Sequence, residues 1–274
     1  MAAAPQVEHL TVFQRSAQYS VPSGNGPVAA AEVADTKGRF DGIWDQVRKS
    51  VVAFGFEEST VAAMSVPEAE RQRVFQENWE IGNGFRFMFG MFCDIATDPD
   101  ANAAAAAFIK GKIAEIVDDP ETARKLTPTD IYAKRPLCNA GYYETYNRDN
   151  VSLVSVREHP IVEITPSGVR TADGTLHELD VLVFATGFDA VDGNYTRMDI
   201  RGRRGLAIQR HWHGGPHQLP GCVRQRFPNM FMILGPNGPF TNLRRASSRR
   251  SSGSPIWSPL RGSAARWPSS PPAR

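Results

Sequence analysis

The sequence predicts an α/β fold built on parallel strands, and three observations carry that reading. Leu10–Gln14 (LTVFQ) is a β-branched and aromatic run of strand type close to the start. Asp180–Ala185 (DVLVFA) and Phe231–Leu234 (FMIL) are continuous apolar runs that end at Thr186-Gly187 and Gly235-Pro236, as expected of strands buried on both faces. Between them, residues 35–126 read as helical, so that helices and buried strands share one chain.

In order, the first strand has no upstream partner, and Pro22–Pro27 (PSGNGP) is a loop. Ser65 with Glu68 forms a capping-box pattern ahead of a helix over Ala69–Ile81. Asp98-Pro99 opens a helix that continues through the alanine block to Val117, and Asp119-Pro120 opens a shorter one. Strand periodicity returns at Val151–Val156, Pro160–Ile164 and Val169–Thr171, with turns at Pro166-Ser167-Gly168 and Asp173-Gly174.

The 31 basic and 29 acidic residues among 274 give a net charge of +2, which provides no global field for nucleic acid or an anionic membrane. That balance is uneven. Residues 244–274 hold seven Arg, nine Ser and five Pro with no Asp, Glu or Lys, and without those arginines the body carries 24 basic against 29 acidic residues. Such a tail is expected to be disordered. Cys93, Cys138 and Cys222 form no CxxC pair, so neither a disulfide framework nor a zinc site is expected, and a reducing, cytoplasmic setting is the default. The start lacks a signal-peptide pattern, and no apolar run reaches the roughly 18 residues of a spanning helix.

Several motifs carry competing readings. Gly24–Ala29 (GNGPVA) formally matches GxGxxA, but Pro27 removes an amide that would face a phosphate, so it reads as a loop. His211, His213 and His217 could chelate a metal, yet no carboxylate or cysteine lies close by in sequence, and a solvated loop is expected with no metal. Phe85, Phe87 and Phe89, with Met88 and Met91, read either as core or as the wall of a pocket for an apolar substrate. Lys134-Arg135 and Arg15 place cations in loops at a sheet edge, which suits a phosphate.

LTVFQRS (10–16), KRPLCNAGYYETYNRDNV (134–151), DVLVFATGFDAVDG (180–193) and FPNMFMILGPNGPFTNL (227–243) together resemble flavin-dependent Baeyer-Villiger monooxygenases of the cyclohexanone monooxygenase type, from about Ala3 to Leu243. The resemblance implies FAD and NADP(H) as cofactors, with a ketone and dioxygen as substrates. It gives Arg15, Ser16 and Lys134 the 2′-phosphate of NADP. Arg135 becomes the catalytic arginine that holds the flavin oxygen adduct as an anion, because a guanidinium keeps its charge. It gives Ala185, Thr186 and Gly187 to the junction of the two nucleotide domains. Phe240 and Leu243, with Phe85, Phe87 and Phe89, go to the substrate pocket.

The family's glycine-rich motifs for FAD and NADP are missing, which implies an incomplete doubly wound, Rossmann-like FAD/NAD(P)-binding fold with a helical insertion and a disordered tail. Residues 1–34 and 127–187 would be part of the NADP domain, 35–126 the insertion, 188–243 part of the FAD domain and 244–274 the tail, a product of a frameshift after Leu243. The chain alone is expected to lack activity. The rival readings are an inert product of an interrupted gene and a half-protein that complements a separate N-terminal fragment. No nucleic-acid or membrane partner is expected.

Overall fold

The computed structural model describes residues 2–50, 54–187, 193–215, 223–224 and 226–231. The chain divides into two compact units, residues 1–184 and 185–274.

In the first unit, β1 (Leu10–Gln14) pairs in parallel with β4 (Val151–Ser155), and β2 (Ser20–Pro22) pairs in parallel with β3 (Leu137–Asn139). The expected Leu10–Gln14 strand therefore forms, and its parallel partner lies far downstream. The intervening chain is helical: α1 (Ala30–Gly38), α2 (Phe40–Lys49), α3 (Glu68–Ile81), α4 (Gly84–Phe89), α5 (Pro99–Ile116) and α6 (Pro120–Leu126). After β4, the strands β5 (Ile161–Thr165), β6 (Gly168–Thr171) and β7 (Leu176–Glu178) form an antiparallel three-stranded meander, turning where Pro166–Gly168 and Asp173-Gly174 were expected to turn. Gly174, at φ +88°, sits in the left-handed region that the second turn requires.

Two of the three expected helix caps form. Asp98 accepts from the amides of Asp100 (3.0 Å) and Ala101 (2.9 Å), and Asp119 accepts from the amide of Thr122 at 2.8 Å. The Ser65 box does not close. Ser65 lies in a 3-10 turn, its hydroxyl donates to the Ala62 carbonyl at 2.7 Å, and Pro67 takes the cap position of α3.

One core runs through the first unit. Phe75 of α3, Phe87 of α4, Ile109 and Ile113 of α5 and Val21 of β2 are fully buried, together with Tyr132 and Tyr143 from the segments on either side of β3, and Leu153 of β4 is buried with them. The segment 35–126 thus shares its core with the flanking strands rather than enclosing one of its own. Small residues make the close approach: Ala101, Ala105 and Ala106 present the inward face of α5.

The apolar run 180–185 departs from expectation. It forms no strand, and Val181, Leu182, Val183 and Phe184 are 76%, 37%, 77% and 70% exposed. Apolar pattern states what a strand would bury, but burial needs neighbours on both edges and faces, and among the described residues no strand pairs with 180–185.

In the second unit, α7 (Gly193–Arg197), α8 (Ile208–His211), β8 (Val223–Arg224) and β9 (Phe227–Phe231) surround a small core of Ile208, Trp212 and Phe227. The strand expected at Phe231–Leu234 is displaced: β9 ends at Phe231 and pairs antiparallel with β8, and 232–234 lie outside the described residues. The tail 244–274 also lies outside them.

Candidate functional site

β1 and β4 run in parallel, so their carboxyl ends, where open α/β sheets bind ligands, lie side by side. Arg15 and Ser16 follow β1, and Arg157 follows β4 in a turn anchored by the Val156 amide to the Gln14 carbonyl at 2.9 Å. Arg157 Nη2 donates to Ser16 Oγ at 2.9 Å. Arg15 is exposed and has no carboxylate partner among the described residues. Lys134 Nζ contacts Asp130 Oδ2 at 2.6 Å, and the Asp130 carbonyl accepts from the Tyr19 hydroxyl at 2.7 Å. The Asp130 carboxyl is held below the usual carboxylate range by its hydrogen bond and charge pairing with Lys134, with a further contribution from the charge of Arg157. Ser16 and Arg157 thus form one hydrogen-bonded pair and Asp130 and Lys134 another, with the charge of Arg157 acting on the Asp130 carboxyl.

Arg135 stands at the other side of this loop. Its guanidinium lies 5.3 Å from the centre of the Phe85 ring, within cation–π range. The placement is a consequence of Gly84. Its amide donates to Cys138 Sγ at 3.1 Å, and a Cβ there would come within 2.9 Å of Pro136 Cβ, so a glycine lets α4 start against Pro136 and β3. Asn83, at φ +75°, caps α4 by accepting from the amides of Phe85 (3.0 Å) and Arg86 (3.3 Å).

Phe85 and Phe89 are four residues apart and share a face of α4, with ring centres 6.4 Å apart. Phe87 lies on the opposite face, fully buried against Phe75, Trp79, Phe108 and Tyr132. The sequence groups these three phenylalanines, but the helix separates them into two on an aromatic surface and one in the core. Phe54 completes that surface, 4.3 Å from Phe85 and 6.2 Å from Phe56, and Arg86 lies over the Phe56 ring at 5.2 Å. Sequence reading missed Phe54 and Phe56; their i, i+2 spacing alone carries no signal for a contact across a long connection.

Ala185–Gly187 belong to the second unit, have no regular secondary structure and are exposed, with Gly187 at φ +93°. Gly24–Ala29 is the expected loop, and Gly24 and Gly82 pack backbone to backbone, a Cβ on Gly82 falling 2.4 Å from the Gly24 amide nitrogen. His211 ends α8 and packs 5.4 Å from Phe227, while His217, Phe240 and Leu243 lie outside the described residues. Among the described residues no group of three His, Cys, Asp or Glu could hold a metal, Cys93 and Cys138 are free thiols, and no helix is long and apolar enough to cross a membrane.

For an implied NADP, the residues that follow β1 and β4 fit a phosphate: the guanidinium groups of Arg15 and Arg157 and the hydroxyl of Ser16. For an implied FAD, the strand–glycine loop–helix that runs from β2 through Gly24 and Gly26 to α1 carries Pro27, which removes one of the amides that a pyrophosphate would need.

No family model matches the sequence. Among characterised proteins, the chain is 61% identical over 242 residues to a phenazine N-monooxygenase of Lysobacter antibioticus, covering 88% of this chain and 45% of that protein. It is 60% identical, also over 242 residues, to a Baeyer-Villiger monooxygenase of Pseudooceanicola batsensis, covering 88% of this chain and 44% of that one. A crystal structure of cyclohexanone monooxygenase from Rhodococcus sp. Phi1 bound to NADP+ superposes with a TM-score of 0.88 at 65% identity, covering 91% of this chain and 47% of the other. The chain thus spans a little under half the length of these relatives. Over nearly nine-tenths of its length it is a homologue of the Baeyer-Villiger monooxygenases of the cyclohexanone monooxygenase type.

Proposed function

We propose that this chain is the NADP-side and substrate-side portion of an FAD- and NADPH-dependent monooxygenase that inserts oxygen beside a ketone carbonyl, and that it is inactive by itself. Identity of 60% to a Baeyer-Villiger monooxygenase carries the reading. When bound, the nicotinamide supplies hydride and the flavin activates dioxygen. In this reading Arg15, Ser16 and Lys134 hold the 2′-phosphate, and Arg135 presents a permanent positive charge beside the reacting centre. Phe85, Phe89 and Phe54 offer an apolar wall to the substrate, with Phe87 supporting that wall from the core. Ala185–Gly187 serve the junction of the nucleotide-binding halves, Phe240 and Leu243 the substrate side, and the setting is the reducing cytoplasm.

The test is to mix the purified chain with the separately produced N-terminal half of a homologous cyclohexanone monooxygenase and follow NADPH oxidation and lactone formation. Ketone-dependent turnover that requires both parts and is abolished by Arg135→Ala supports the proposal. Turnover unaffected by Arg135→Ala overturns the role of that residue.

The 61% identity to a phenazine N-monooxygenase favours a second substrate class, a ring nitrogen in place of a carbonyl carbon. Assaying cyclohexanone and a phenazine side by side decides between them. The exposure of Val181–Phe184 favours the pairing mode, in which a separate N-terminal fragment supplies neighbouring strands. Hydrogen exchange that slows at 180–185 on mixing supports this mode. Absence of slowing, with no turnover, leaves the inert product of an interrupted gene as the correct description.

A further inference from the structure

We infer that Arg157 is a further phosphate-recognition residue of this chain, one that selects a nucleotide carrying a 2′-phosphate by acting together with Ser16. The inference rests on the NADP reading above and adds to it a residue that the resemblance did not supply. Three observations support it. First, Arg157 reaches the carboxyl end of β1 from the neighbouring strand, because the parallel register places the turn after β4 beside Gln14 and Arg15. Second, its guanidinium forms no ion pair among the described residues, and the one hydrogen bond it makes is to Ser16 Oγ at 2.9 Å. A guanidinium has five donors in a planar fork, so most remain for a phosphate oxygen. Third, Ser16 Oγ accepts from Arg157, which leaves the serine hydroxyl free to donate its proton to an anion.

The neighbouring charges agree with an anion site. Glu158, next in sequence, is turned away into a pair with Arg124 at 2.8 Å, and Asp130 is already engaged by Lys134 at 2.6 Å. Asp130, on whose carboxyl the charge of Arg157 acts, is thus already paired, and Arg15 and Arg157 have no ion pair of their own among the described residues. An entering phosphate would share Lys134 with Asp130 and take Arg15 and Arg157 without competition from another acid.

Adenosine 2′,5′-bisphosphate and 5′-AMP are titrated into the full chain and into its Arg157→Ala, Arg157→Lys and Lys134→Ala variants, by calorimetry or NMR. Expected is a preference of the wild type for the bisphosphate, weakened about tenfold by Arg157→Ala. Binding of 5′-AMP should stay unchanged, and Arg157→Lys should recover part of the preference. Thermal unfolding of Arg157→Ala at the wild-type temperature excludes a folding defect as the cause. If Lys134→Ala loses the preference and Arg157→Ala keeps it, the inference falls and the NADP reading stands. If the wild type does not distinguish the two nucleotides, both fall.

Discussion

Asn102 holds the backbone of Tyr132 with both ends of its side-chain amide. Oδ1 accepts from the Tyr132 amide at 3.0 Å, and Nδ2 donates to the Tyr132 carbonyl at 2.7 Å and to the Ile95 carbonyl at 2.9 Å. All of this is buried, so the side chain substitutes for a strand partner where α5 meets the loop that carries Lys134 and Arg135. Asn102→Ala would leave buried backbone groups without partners. The expected cost is about 3 kcal/mol. In a chain of this size that corresponds to a melting temperature lower by about 6 to 12 °C, measurable by circular dichroism.

Two glycines should respond in opposite directions to the same added methyl group. At Gly84 a Cβ meets Pro136 Cβ at 2.9 Å and the Leu137 carbonyl at 3.1 Å, and the backbone on which Phe85 approaches Arg135 must shift. Gly84→Ala is expected to lower stability by about 1 to 3 kcal/mol. At Gly111, within α5, a Cβ meets nothing within 4 Å. Gly111→Ala should raise stability by about 0.5 to 1 kcal/mol, since it removes the helix penalty of glycine. Urea unfolding of the two variants beside the wild type checks both signs.

The legible features were the local ones. Asp98 and Asp119 could be assigned as caps because a side chain and the amides two or three residues on decide the matter. Ser65 carried the same pattern, but Pro67 intervened and a 3-10 turn claimed the hydroxyl. Val183 was misread because strand burial depends on partners remote in sequence, and 77% exposure is what the same residue shows without them. Phe87 was grouped with Phe85 and Phe89 because the six-residue helix that separates their faces is too short to announce itself by periodicity. Arg157 was missed for a similar reason: the register of β1 on β4 brings it to Ser16, and 141 positions separate the two in sequence.

The hydroxyl of Tyr132 is buried and finds no hydrogen-bond partner in the described structure. Burial pushes this phenol well above the ordinary tyrosine range, with smaller contributions from Cys138 and Tyr143. A buried polar atom without a partner opposes folding. Tyr132→Phe, unlike most core substitutions, is therefore expected to leave stability unchanged or raise it by up to about 1 kcal/mol. The comparison with Asn102→Ala is informative, because one variant removes an unsatisfied group and the other creates several at the same backbone position. Melting curves of the two variants should move in opposite directions or, for Tyr132→Phe, not move.

Acid should loosen the β6–β7 hairpin before the helical core. Asp173 accepts from the Thr171 hydroxyl at 2.7 Å and from the Thr175 amide at 3.1 Å, and His159 Nδ1 lies 3.3 Å away. These hydrogen bonds, with a lesser contribution from His159, bring the Asp173 carboxyl from an ordinary 3.8 down to about 2. A folded-state value below the unfolded one means that the contribution is fully present above pH 3.8 and is lost as pH falls through about 2. Over that window, amide exchange at Thr171–Thr175 should rise relative to the α5 core in the wild type. In Asp173→Asn the carboxylate is gone, so the hairpin should exchange at one rate, relative to α5, at pH 4 and at pH 2. A hairpin in the wild type that stays as protected at pH 2 as at pH 4 would show that this carboxylate does not hold the turn.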